Sequence, residues 1–174
     1  MQQLLQKIGV AGLIVVLVAF SFSFSSSAAE KKKGTGTGKV VAILSQTKMS
    51  PGDAPNHEVT LTSRRDVWNS AEPEWDNAQV DMVVYEDYTA GAGSYRGHLV
   101  ATHPGGDKML QTFEGQAKTI VHQDGSWKAT WGGKHWCTGG TGKLEAIKCS
   151  GTHQGTATPA GATYEWNREY ELSK

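Results

Sequence analysis

The sequence predicts an all-β domain, an eight-stranded antiparallel β-barrel, carried behind an N-terminal secretory signal peptide. Three observations predict it. Past the N-terminal segment, apolar and polar residues alternate at the two-residue period of half-buried strands. Gly, Asp, Asn or Pro interrupt that alternation at short intervals, and no stretch carries a convincing helical period. Glycine contributes 21 of 174 residues with no G-x-y repeat, an excess that suits a chain with many turns. The length allows one small domain.

Residues 1–29 read as the signal peptide. Lys7 supplies the positive start, 8–24 is almost wholly apolar, and Ser27 and Ala29 are the small residues before a cut after Ala29. The alternative is an uncleaved anchor, which would be the chain's one membrane contact. Cleavage places the protein outside the cytoplasm, in the periplasm or the medium. It removes Lys7 alone among the charges, leaving 16 basic against 17 acidic residues. A net charge of −1 argues against nucleic acid as a partner.

Residues 30–38 (EKKKGTGTG) are charged and glycine-rich, and read as a flexible lead-in to a single domain over 39–174. The strands follow in order. KVVAIL (39–44) is the first, and 46–56, with Pro51-Gly52-Asp53 and Pro55, is a loop. HEVTLTSRR (57–65) alternates, with Val59 and Leu61 on one face. Residues 67–79, holding Trp68, Pro73 and Trp75, are a long connection or a short helical cap. VDMVVYEDY (80–88) and SYRGHLVAT (94–102) are strands around the AGAG turn. Residues 108–121 form the next, with Gly115 as a bend or bulge. Asp124-Gly125 turns the chain into 126–136, and 139–142 turns it again before strands 144–155 and 162–172.

Short connections make sequential strands antiparallel neighbours. Closure removes exposed edges, and the last strand favours it: Tyr164, Trp166, Tyr170 and Leu172 share one face, with Glu165, Asn167, Glu169 and Glu171 on the other. A two-sheet sandwich or a curved open sheet satisfies the same alternation.

Cys137 and Cys149 are the only thiols. An isolated pair in an exported protein forms a disulfide, and the spacing is not that of a C-x-x-C redox motif. No H-x-H or H-E-x-x-H pairs the six histidines, so no metal site is expected. Gly38-Lys39 and Gly142-Lys143 lack the Ser or Thr that a phosphate loop needs, and no G-x-S-x-G elbow is present.

Several segments carry a family resemblance: Phe113-Glu114-Gly115, Asp124-Gly125-Ser126-Trp127-Lys128, the run from Thr138 to Ile147 (TGGTGKLEAI), Ser150-Gly151-Thr152 and Tyr164-Glu165-Trp166. Together they resemble bacterial secreted proteins of the allene oxide cyclase-like barrel class, calycin-like in architecture and related in fold to plant cyclases and dirigent proteins. The resemblance implies an eight-stranded antiparallel barrel around a central cavity. It implies no activity, because the acid and base groups of the cyclases and dirigent proteins match no named position here.

In such a cavity, polar residues on apolar faces are the candidate ligand-lining groups. Arg168 lies in step with Tyr164, Trp166 and Tyr170, and Glu86, in step with Met82, Val84 and Tyr88, is its candidate partner. Trp127 and Trp131 share a face; Arg96 and Glu114 complete the set. A buried Arg–Glu pair fixing register, or an arginine at the barrel mouth reaching to water, with the tryptophans as plain core, is the competing account. The expected function is binding of a small apolar or amphipathic ligand, without a cofactor. Two alternatives stand beside it: a cyclase or isomerase working through a cavity carboxylate, with Glu86 and Arg168 as first suspects, and a non-catalytic structural or interaction module of the cell envelope. Nothing in the sequence specifies an oligomer.

Overall fold

The computed structural model describes residues 31–172. Eight strands occupy almost all of it: β1 (Lys31–Met49), β2 (His57–Ser70), β3 (Gln79–Thr89), β4 (Ala92–Thr102), β5 (Lys108–Val121), β6 (Trp127–Gly140), β7 (Lys148–Thr158) and β8 (Gly161–Glu171). A single 3-10 turn, Gly142–Leu144, is the one helical element among the described residues. Each strand pairs antiparallel with its neighbour in sequence and β8 returns to β1, so the sheet is a closed up-and-down barrel. The sandwich and the open sheet are thereby excluded; β8 covers β1 from Lys31 to Lys39, and the rest of β1 pairs with β2 alone. The signal-peptide segment lies outside the described residues.

The barrel has one open and one closed end. The 50–56, 90–91, 122–126 and 159–160 connections ring the open mouth. The 71–78, 103–107 and 141–147 connections gather at the other end, where Trp75, Ala78, His103, Leu144 and Ile147 are buried as a floor. The Cys137–Cys149 disulfide (S–S 2.06 Å) ties β6 to β7 there. The Gln111 side-chain amide on β5 approaches Cys149 Sγ at 3.2 Å.

Several local expectations change. Residues 31–38 are not a loose lead-in but the first half of β1, hydrogen-bonded to β8 along their length. The physical reason is steric. Gly34, Gly36 and Gly38 face inward opposite Arg168, Trp166 and Tyr164. A Cβ at Gly36 or Gly38 would overlap the opposing ring. These glycines make room rather than slack. Gly115 is likewise no bulge: it sits in register between Tyr95 and Gly133, and a Cβ there would run into the Tyr95 phenol. The β5–β6 irregularity falls instead at Leu110 and Gln111.

The 67–79 segment divides in two. Its first part extends β2 to Ser70, and the remainder folds over the floor and buries Trp75 completely. The face of β2 carrying Val59 and Leu61 points outward, leaving Leu61 50% exposed. The inward face is polar: Thr60, Thr62, Arg64 and Asp66 lead to Trp68. They pair across the ladder with Glu86, Val84, Met82 and Val80 of β3, so strand parity fixes which set faces in.

Candidate functional site

The barrel encloses a cavity of about 370 Å³, within the range that holds small organic ligands. Its architecture follows from a chequerboard of large side chains and glycines across four strands. His135, Gly151, Arg168 and Gly34 stand side by side on β6, β7, β8 and β1. One layer toward the mouth come Gly133, His153, Trp166 and Gly36; the next holds Trp131, Gly155, Tyr164 and Gly38. Each ring or guanidinium leans over a neighbour without a Cβ. The wall can thus carry four aromatic or cationic groups per few residues and still leave a void.

The floor is centred on Arg168, which is 2% exposed. Three indoles surround its guanidinium carbon, with ring centroids at 4.0 Å (Trp166), 4.4 Å (Trp75) and 4.6 Å (Trp68). Nη1 donates to Met109 Sδ at 3.1 Å, and thioether sulfur is a weak acceptor. Nε and Nη2 have no partner among the described residues. Burial pushes the Arg168 pKa down to about 9, which leaves it cationic at neutral pH. Trp75 is held edge-on between His103 and Tyr170 (4.7 and 5.3 Å), and Tyr170 donates its hydroxyl to Glu74 at 2.9 Å.

Two polar groups line the middle of the cavity. On one wall Arg64 pairs with the fully buried Asp66 at 3.3 Å, while Trp68 Nε1 donates to the Tyr164 hydroxyl at 2.8 Å. Burial raises the Asp66 pKa, and the Arg64 charge partly offsets that rise. On the other wall the Tyr95 hydroxyl meets His153 Nε2 at 2.6 Å, and His153 stacks on His135 at 5.8 Å. Burial lowers the His135 pKa to about 3, with Arg168 adding repulsion, and that of His153 to about 4. Both imidazoles are neutral at pH 7 and contribute no charge to the site.

At the mouth, Glu86 accepts the Tyr88 hydroxyl at 3.2 Å, and burial raises its pKa. Trp127, Ile43 and Gln46 complete the rim. Outside it, His57 bridges two carboxylates, with Nδ1 at 2.5 Å from Asp53 and Nε2 at 2.9 Å from Asp87. This ties the β1–β2 connection to β3.

Of the residues singled out from sequence, Glu86, Trp127, Trp131, Tyr164, Trp166 and Arg168 line the cavity. Arg96 and Glu114 do not. They stand opposite each other on the outer surface of β4 and β5, where Arg96 covers the Tyr85 ring at 5.1 Å. Their inward neighbours, Tyr95, Gly97, Phe113 and Gly115, take the cavity face, so the error is one residue of phase. Glu86 is also not the partner of Arg168: it belongs to the mouth and Arg168 to the floor, and no carboxylate among the described residues forms an ion pair with Arg168. Glu72, the nearest acidic influence on Arg168, is engaged by Ser70 and the Thr35 amide.

Sequence reasoning missed Arg64, Asp66, Trp68, His135 and His153. The same parity that groups Trp127 with Trp131 also carries His135, and Arg64, Asp66 and Trp68 alternate on one face of β2, so the signal was present in both strands. No protein-family model matches the chain, and no curated protein matches it with significance.

Proposed function

We propose that the protein is an exported binding protein that holds a small apolar or amphipathic molecule inside its barrel. The blind-ended cavity of about 370 Å³, walled by Phe113, Trp127, Trp131, Tyr164 and Trp166, is the observation that carries this reading. A barrel serving only as a structural module would fill its interior with side chains. Here the rings lie back over the inward glycines, and about 370 Å³ is left unfilled. Export accords with the signal-type N-terminus, and the Cys137–Cys149 bond accords with an oxidising compartment. Kinship with the allene oxide cyclase-like, calycin-like barrels is proposed on the same grounds of strand number and closure.

Isothermal titration of the exported, disulfide-bonded protein with neutral probes, octan-1-ol and 2-naphthylmethanol, tests the reading. Saturable binding of either at one site per chain is expected, with quenching of tryptophan emission. The reading fails if neither binds and native mass spectrometry of protein from its own host shows no bound molecule.

A second reading has one observation in its favour. Glu86 is a half-buried carboxyl with a raised pKa facing the cavity, as a general acid or base would be. On that reading the protein is a cyclase or isomerase, and Glu86→Gln would abolish turnover while leaving binding of the neutral probes unchanged.

A further inference from the structure

We propose that the cavity floor is a carboxylate receptor, in which Arg168 takes the head of a monoanionic ligand whose apolar body lies among the aromatic walls toward the mouth. The inference rests on the binding reading above and narrows it to a class of ligand.

The two unpartnered nitrogens of Arg168, Nε and Nη2, share one edge of the guanidinium. That edge is the fork whose spacing matches the two oxygens of a carboxylate. Everything else around the guanidinium satisfies charge without satisfying hydrogen bonds. The indoles of Trp68, Trp75 and Trp166 offer π faces but no lone pairs, and Met109 offers a weak thioether. A cation this deeply buried is costly unless it is both paired and hydrogen-bonded. Among the described residues nothing supplies the second half.

Other groups at the same place, Trp75 Nε1 included, lack partners among the described residues. Trp166 Nε1, a pure donor, and His135 Nε2 are both buried, unpaired among the described residues, and on the cavity lining. Around Arg168 the floor thus offers donors from the guanidinium and the Trp166 indole against one weak acceptor, Met109 Sδ, which favours a ligand head that accepts hydrogen bonds. It carries a single positive charge, since His135 and His153 are neutral and Arg64 is already matched by Asp66. One charge fits a monoanion better than a phosphate dianion. Room for the head comes from the cavity itself, whose lining includes Arg168, His135 and Trp166. Glu86 at the mouth disfavours an anionic head there and so sets the ligand's direction.

The test uses matched pairs that differ only in the head: octanoate against octan-1-ol, and 2-naphthoate against 2-naphthylmethanol, titrated calorimetrically into the disulfide-bonded protein at pH 7. Each carboxylate is expected to bind at least about tenfold tighter than its alcohol, the scale of a charge-assisted hydrogen bond. Arg168→Met should erase the preference while leaving alcohol affinity within about threefold, with the fold checked by circular dichroism. Arg168→Lys keeps the charge but not the fork, so it should retain a reduced preference; it also serves if the Met variant does not fold. Equal binding of acid and alcohol by the native protein would overturn the receptor while leaving the cavity reading intact. A carboxylate preference unchanged in both variants would remove Arg168 from the role. If none of the four probes binds the carboxylate receptor falls, and the binding reading falls with it if protein from its own host also carries no bound molecule in native mass spectrometry.

Discussion

The two ends of the barrel treat charge in opposite ways. At the mouth several charged groups have partners within reach of water: His57 lies between Asp53 and Asp87, Lys48 meets Glu58 at 2.9 Å, and Glu86 receives the Tyr88 hydroxyl. Such pairs cost little to form and little to lose. At the floor one arginine is caged by three tryptophans, one of them from the 71–78 connection that seals this end, and two of its three nitrogens have no partner among the described residues. The same guanidinium at the rim would be unremarkable. Its cost comes from the dryness around it, and that dryness is built by Trp75 and the 71–78 connection. Mouth and floor therefore differ in what a substitution does: at the mouth it perturbs a solvated pair, at the floor it perturbs the packing that makes burial of a cation tolerable.

The largest expected effect breaks the seal. Trp75 is fully buried against Arg168, His103 and Tyr170. Trp75→Ala should cost about 3–5 kcal/mol of stability in urea unfolding, the usual range for a buried tryptophan. Trp127→Ala at the half-buried rim should cost less than half as much, because its ring already meets water. Equal losses at the two positions would mean that the floor is no drier than the mouth, and the contrast drawn between them would collapse.

The two ends also differ in how much of them the sequence discloses. Strand β8 was legible: Tyr164, Trp166, Arg168 and Tyr170 all face inward as their alternation requires. The cysteine pair was legible from compartment and isolation alone. The floor was not. Trp75 sits in EPEWDN, whose proline, acids and Asn carry the local signature of a loop, and nothing local says that a loop folds back to plug a barrel. The glycines misled for a related reason. A glycine that frees the backbone and one that clears space for a ring on the next strand are the same letter, and only the register separates them. GTGTG reads as a tether until Arg168, Trp166 and Tyr164 are set against it. Register is a property of two distant segments, so no window of one of them contains it. Arg96 and Glu114 fail by the same route, since a shift of one residue moves a whole strand's assignments to the other face.

Glycine substitution sharpens that point with a smaller effect. Gly151 lies inside the wall between His135 and Arg168, where a Cβ would come within 2.7 Å of His135 Nε2 and overlap the Asn167 carbonyl. Gly105, in the 103–107 turn at the same end of the barrel, would place its Cβ in open space. Gly151→Ala should destabilise by about 1–3 kcal/mol, the cost of overpacking a filled site. Gly105→Ala should stay within about 0.5 kcal/mol of the parent, as surface changes do. Chemical denaturation of the two variants side by side measures the difference. Similar values would indicate that the inward glycines serve the backbone rather than the space beside it.

The smallest effect concerns sign rather than size, because the histidines at the two ends are shifted in opposite directions. The hydrogen bond to Asp53 and then that to Asp87 raise the His57 pKa, since both ring nitrogens face carboxylates and only the imidazolium donates from both. A raised folded value means that the stabilisation is complete below the ordinary histidine pKa of about 6.5 and is lost as pH rises through the folded value. Asp53, lowered by the same hydrogen bond, adds stability that is present above its ordinary value and lost as pH falls through the depressed one. The latch thus holds best between those limits. At the floor, burial lowers His135 to about 3 and His153 to about 4, so each is neutral when folded while the unfolded chain takes up protons below about 6.5. Their contribution is present at neutral pH and drains away as pH falls toward 4. The mouth therefore weakens as pH rises through the raised His57 value, and the floor as pH falls below the ordinary histidine value. Melting temperatures recorded from pH 4.5 to pH 9 should show both slopes in the parent protein. His57→Asn, which removes the imidazole between the two carboxylates, should flatten only the slope on the high-pH side. If instead it flattens the acid slope, or neither, then the carboxylates flanking His57 do not hold its proton, and the mouth is not latched by charge.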